Sequence, residues 1–310
     1  MKNSKIINSI ITLVLISSQF KFAHKAKSCD VCGASSSFNG FGQIATLSNN
    51  FLLTEYRYQH YIQPNTGGNK SWDVVQSIDV EYGWRWNSIP RLLNTLQMPL
   101  KSVNRFQVYD APFQKISLGD IQWKSIYTLY DNRNYTFSDQ WKHLVFANAA
   151  VKLPTGKYQT LGAEKELLPI HLQPGTGSWQ FDLGATYLSK INNWAFLTTV
   201  NTQFSTQNEL SYRFGNRQNL AAALMYAVKN QKSIYYPQLG IQFDHWQKDN
   251  ESHQTLTETG GKQWQYWFQI DWFKSKSYMR FKISKPFHQQ YDEDAPKLEI
   301  TSSLSWAWLF

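Results

Sequence analysis

Long apolar runs are missing from this 310-residue chain: no stretch reaches the roughly 18 residues that a spanning helix needs, which excludes a helical membrane protein. Charge is sparse, with Asp, Glu, Lys and Arg making up 17% of the residues. Cysteine is limited to two residues, and no nucleotide-binding motif occurs. Aromatic side chains, by contrast, make up 16% of the chain, with 13 Trp, 17 Tyr and 19 Phe. A disordered chain lacks such residues. So many aromatics at a mean hydropathy of −0.47 require apolar and polar positions to alternate.

The first residues have the layout of a secretory signal peptide, with Lys2 and Lys5 ahead of the apolar stretch Ile6 to Ile16 and small residues after it. We assign residues 1–28 to it, with cleavage expected between 24 and 29. A lipoprotein site at Cys29 is the alternative, although Lys27 stands where such sites carry a small or apolar residue. Five of the 31 basic residues are lysines within 1–28, leaving 26 against 22 acidic residues, so the formal charge falls from +9 to +4. The basicity belongs to the leader, and nucleic acid is excluded as a partner.

From residue 50 onward, alternation with period two recurs to the last residue. Between 263 and 273, Trp264, Tyr266, Phe268, Ile270 and Trp272 share one face, and Gln263, Gln265, Gln269 and Asp271 share the other with Trp267 and Phe273. Strands are predicted near 50–63, 71–86, 91–104, 116–131, 139–153, 177–190, 193–206, 219–230, 233–248, 261–274, 276–288 and 297–310. Most are long enough to cross a bilayer at a tilt of roughly 45°. Long polar connections at 64–70, 105–115, 154–176, 207–218, 249–260 and 289–296 alternate with mostly short ones near 87–90, 131–138, 191–192, 231–232 and 275. That asymmetry predicts an all-β fold: a transmembrane antiparallel β-barrel of about 12 strands over 50–310, with both termini periplasmic. A soluble β-sandwich predicts shorter strands and no such alternation of loops.

At the C-terminus, Leu304, Trp306, Trp308 and Phe310 alternate with Ser303, Ser305 and Ala307. This resembles the terminal strand of bacterial outer-membrane proteins, whose closing aromatic residue is read by the barrel assembly machinery. The expected location is therefore the bacterial outer membrane, with its lipid as one partner.

Apolar positions are assigned to lipid, because a charge at the bilayer midplane costs about 2–4 kcal/mol. The lumen is then expected to hold Glu55, Arg57, Asp79, Glu81, Arg85, Asp120, Lys124, Lys152, Asp182, Asp244, Asp271, Arg280 and Lys282, together with Trp267. Both signs are present, which implies ion pairs across a modest, partly filled interior.

Two motifs stand out: Lys152-Leu153-Pro154-Thr155-Gly156, and Gln173-Pro174-Gly175-Thr176-Gly177-Ser178-Trp179. Preceded by Gly119-Asp120-Ile121 and followed by a strand opening at Trp194, their order and spacing resemble the outer-membrane barrel family named for the meta pathway of phenol degradation, often labelled transporter. The match covers about a third of the chain well. The resemblance implies a porin-like channel for small solutes, aromatic or hydrophobic compounds among them, and no enzymatic activity. Read physically, the Pro and Gly residues are turn formers that bound the connection 154–176, which is long enough to fold inward as a constriction.

Cys29 and Cys32 form a C-x-x-C in the short periplasmic segment 29–49. A disulfide or redox pair and the capture of copper or zinc are both open, since the spacing alone does not decide between them. Metal handling through this pair is the alternative function, and it is the only place where a cofactor is expected. An outer-membrane enzyme is the third class. His60, His143, His171, His245, His253 and His288 follow the leader, but none lies in a motif such as G-x-S-x-G or H-E-x-x-H.

Overall fold

The computed structural model describes residues 50–62, 72–106, 113–133, 141–161, 172–257, 259–291 and 295–310. The elements are β1 (Phe51–Ile62), β2 (Trp72–Trp86), β3 (Ile89–Phe106), β4 (Phe113–Leu118), β5 (Gln122–Asp131) and β6 (Trp141–Lys152). They continue with β7 (Gln180–Ile191), β8 (Trp194–Ser205), β9 (Tyr212–Arg213), β10 (Arg217–Tyr226), β11 (Val228–Asn230) and β12 (Ser233–Trp246). The last are β13 (Asn250–Glu251), β14 (Gln254–Thr255), β15 (Gly261–Lys274), β16 (Ser277–Gln290) and β17 (Lys297–Leu309).

Each long strand pairs antiparallel with its neighbours, from β10 through β8, β7, β6, β5, β3, β2, β1, β17, β16 and β15 to β12, which pairs back onto β10. The sheet is thus a closed barrel of 12 staves with no free edge along this circuit, the arrangement that leaves no ladder group exposed to lipid. Closure runs from Phe51↔Leu309 to Ile62↔Lys297, and it is locked at one rim by reciprocal backbone bonds between Asn50 and Phe310 of 3.1 and 3.0 Å. The tight turns at 192–193 and 275–276 lie on this same rim, and Asn192 and Ser275 adopt the positive φ (51° and 52°) that two-residue hairpins need. We call it the turn rim and the other the loop rim.

Two predicted strands are interrupted. The stave expected at 116–131 breaks at Gly119-Asp120-Ile121 into β4 and β5, where the Gly119 N–H donates to the Pro99 carbonyl at 2.8 Å. Both pieces pair with β3, but only β5 continues onto β6. The stave expected at 219–230 breaks at Ala227, whose N–H donates to Asn193 at 2.7 Å. A small sheet of β14, β13 and β9 stands at the loop rim.

The outer surface carries an unbroken apolar belt, including Leu52, Ile78, Leu96, Met98, Leu183, Leu220, Leu239 and Leu304. A monomer in water does not expose so much contiguous apolar area. Aromatic contacts border the belt on both sides. Trp84–Trp123 (6.5 Å), Tyr82–Phe310 (6.4 Å) and Trp194–Tyr226 (4.7 Å) lie towards the turn rim, and Phe243–Trp264 (4.6 Å) and Tyr266–Phe287 (6.1 Å) towards the loop rim. These are interfacial girdles, where an aromatic body meets hydrocarbon and headgroup together.

Candidate functional site: a layered lumen

Side chains alternate between belt and interior, and the interior is stacked in layers. Nearest the turn rim lies an apolar septum. Phe51, Leu53, Leu93, Ile126, Leu144, Phe146, Leu188, Leu197, Ala223, Met225, Trp267, Tyr278, Ala307 and Leu309 form one buried cluster drawn from ten of the 12 staves. Phe51 and Tyr278 are 0% exposed, whereas the walls of an open pore would be wet. Close fit is helped where Gly240 lies beneath the Trp267 indole and Gly83 beneath the Phe51 ring, since a Cβ at either would stand 2.3 or 2.2 Å from the ring atoms. The rule that apolar residues face lipid therefore fails for this layer: these side chains point inward and pack against one another.

Next comes a belt of charges and amides. Arg57 reaches Glu55 at 2.5 Å and Asp79 at 3.1 Å, with Ser305 donating to Glu55 at 2.8 Å. Asp271 accepts from Arg280 (2.9 Å), Tyr278 (2.9 Å), Gln238 (2.6 Å) and Gln269 (2.9 Å). Asp244 accepts from Asn219 (2.6 Å) and Gln242 (2.8 Å), and Asp182 from Gln122 (2.9 Å). Each of these buried carboxylates accepts hydrogen bonds, as a charge in a low-dielectric interior requires. Glu81 and Lys124 are buried in the same wall, and Lys152 is half-buried at the end of β6. Lys282 places its ammonium 4.9 Å from the Trp267 ring centre.

Two of the residues expected in the lumen stand apart. Arg85 lies near the turn rim, where its guanidinium donates to the Pro90 carbonyl at 3.0 Å. Asp120 does not line the wall of a continuous strand, because the stave breaks there. Its carboxylate accepts from the Gly156 N–H (2.9 Å), the Thr176 N–H (2.9 Å) and the Thr176 hydroxyl (2.7 Å). Cys29 and Cys32 lie outside the described residues.

Asp120 thus joins the two sequence motifs. Gly156 and Gly175 pack backbone against backbone, so that a Cβ on Gly156 would stand 2.7 Å from the Gly175 Cα. The Thr155 hydroxyl oxygen accepts from the Ile121 N–H (2.9 Å), and Gln173 exchanges side-chain bonds with the Thr160 backbone (2.9 and 3.2 Å). The glycines serve close approach more than turning. At the loop rim, Tyr158 donates to Glu209 at 2.6 Å, a hydrogen bond that raises the phenol pKa. Leu172, fully buried, packs with Tyr61, Val75, Val103 and Leu298, which point inward from β1, β2, β3 and β17. Leu172, in the described part of the connection between β6 and β7, therefore reaches into the barrel and joins a second, smaller apolar cluster on the loop side of the charged belt.

No family model matches the chain, and no curated protein is similar to it in sequence. In structure it is similar to an outer membrane channel from Pseudomonas putida F1, with a TM-score of 0.67 at 14% identity over 87% of this chain and 98% of that one. It is more distantly similar to the beta domain of the Bordetella autotransporter BrkA, with a TM-score of 0.47 at 9% identity over 84% of this chain and 99% of that one. The first likeness establishes a shared fold. With the belt and girdles, it defines the chain as a 12-stave transmembrane β-barrel of the bacterial outer-membrane type. Inside it, a buried apolar cluster drawn from ten staves lies on the turn-rim side of a charged belt, and a smaller apolar cluster around Leu172 lies on the loop side.

Proposed function

We propose that the protein is a porin-like channel of the bacterial outer membrane for small solutes, with aromatic and hydrophobic compounds as its preferred class. The septum is the observation that carries this reading. An apolar constriction sheds water and bars ions, because a charge stripped of water costs far more than an apolar body does. A small aromatic solute instead exchanges one apolar surface for another as it displaces Leu, Met and Phe side chains. The two motifs that resemble the phenol-pathway barrel family meet at Asp120, which supports the same class of solute. With both termini periplasmic, solute would enter past the β6–β7 connection and leave through the septum. The expected partners are outer-membrane lipid, the barrel assembly machinery and the solute, and the reading assigns no catalytic step.

Uptake of labelled toluene and of a labelled monosaccharide, by cells whose outer membrane carries or lacks the protein, tests this. Faster entry of toluene with little change for the sugar is expected. Equal rates for both compounds with and without the protein would overturn the reading.

A further inference from the structure

Between the two apolar layers lies a cavity of about 40 Å³, space for a few waters or for the head of a larger molecule. Its wall mixes polar side chains, Gln242, Gln265, Lys282, Ser284 and Ser303 among them, with the apolar Trp246 and Leu298. The neighbouring Arg57 and Arg280 have carboxylates at salt-bridge distance. Lys282 has an indole face instead, and among the described residues no carboxylate forms an ion pair with it. An ammonium over a ring face keeps N–H donors free on its far side. Asp244 also lines the cavity, and its carboxylate accepts from the amides of Asn219, Gln242 and, at 3.5 Å, Gln265. From the turn rim inward the order is therefore the apolar cluster, then polar side chains in which Lys282 has no ion-pair partner among the described residues, then the apolar cluster around Leu172.

We propose that Lys282 and the hydroxyls of Ser284 and Ser303 form a subsite for the anionic head of a small amphipathic solute, a carboxylate carried on an apolar or aromatic body. The head takes the Lys282 ammonium and the hydroxyl donors, in charge-assisted hydrogen bonds, while the body lies against the Trp267 side of the septum. This deepens the channel reading and rests on it for the direction of travel, but binding at Lys282 is measurable without transport.

Equilibrium dialysis of the detergent-purified full-length protein against labelled benzoate, benzyl alcohol and benzylamine tests the subsite, with heat-modifiable gel migration verifying that each variant is a folded barrel. Benzoate should bind saturably and in preference to benzylamine. Lys282→Gln should weaken benzoate binding roughly tenfold or more, while Lys282→Arg keeps it within about threefold, and benzyl alcohol should be indifferent to either change. Preference for benzylamine, absence of saturable benzoate binding, or equal effects of Lys282→Gln on benzoate and benzyl alcohol would overturn the subsite. Should Lys282→Gln fail to fold, the ligand preference of the unaltered protein and of Lys282→Arg decides the matter. Benzoate binding without any protein-dependent uptake of toluene in cells would overturn the channel reading alone. Toluene uptake without benzoate binding would overturn the subsite alone.

Discussion

The Thr176 hydroxyl donates to the Asp120 carboxylate at 2.7 Å, tying the return of the inward connection to the break between β4 and β5. Gly156 binds the other oxygen of the same carboxylate. One side chain thereby holds both ends of the segment that carries Leu172 into the lumen.

Asp120→Ala is expected to release that segment. Hydrogen bonds to a charged group contribute about 1.5–3 kcal/mol each, and three are lost. The barrel should still form, but with a lower temperature of heat-modifiable unfolding on gels and greater access of a polar probe to the loop-side lumen. An unchanged unfolding temperature and unchanged probe access would show that Asp120 does not hold the connection.

Gly156→Ala should reproduce this phenotype with no charge removed. Its new Cβ would press on backbone atoms of Gly119, Asp120 and Gly175 within 2.8 Å, none of which can rotate away. Measured side by side, the two variants should shift the unfolding temperature in the same direction. A neutral Gly156→Ala would mean that close backbone approach is not what this position requires.

The staves were legible in the sequence because alternation along 74–86 or 263–273 has only one extended reading, and β15 spans 261–274 as expected. The charged belt was legible for the same reason, since Arg57, Asp79, Asp271 and Arg280 fall on the face opposite the Trp-rich one. The septum was not. Phe51 and Phe146 carry the same hydropathy as lipid-facing residues, and period two separates two faces without saying that the inner one is dry. Only the phase relative to neighbouring charges, such as Leu53 sharing a face with Glu55, carried the signal. Asp120 was misplaced because a strand break depends on Pro99 in the adjacent stave and on two distant glycines. The inward position of Leu172 depends on its contacts with residues of β1, β2, β3 and β17, which no local pattern encodes.

Deletion of Phe310 is expected to impair assembly. The residue faces lipid, stacks near Tyr82 and closes the barrel through its N–H to Asn50 at 3.0 Å. The lost burial contributes about 1.5–3 kcal/mol, yet on the proposal that the assembly machinery reads this residue, the amount of protein inserted in outer membranes should fall further than that value implies. Normal insertion of the shortened chain would contradict a recognition role.

Changing both Cys29 and Cys32 to Ser should leave aromatic uptake unaltered, since the pair precedes the first stave. Copper and zinc tolerance measured on the same cells separates the two functions. Loss of metal tolerance with intact aromatic uptake would assign metal handling to the segment 29–49, and loss of aromatic uptake would tie that segment to the channel itself.

The seal near the turn rim is tested most directly by planar-bilayer recording of the purified protein and of a Phe51→Ala, Phe146→Ala variant in the same salt. Each truncation leaves a cavity where a ring is now buried and costs about 3–5 kcal/mol, so folding of the variant is verified first by gel migration. We expect no steady ion conductance from the unaltered protein and stable stepwise conductance from the variant. Open-porin steps from the unaltered protein, unchanged by the two substitutions, would contradict an apolar septum that bars ions.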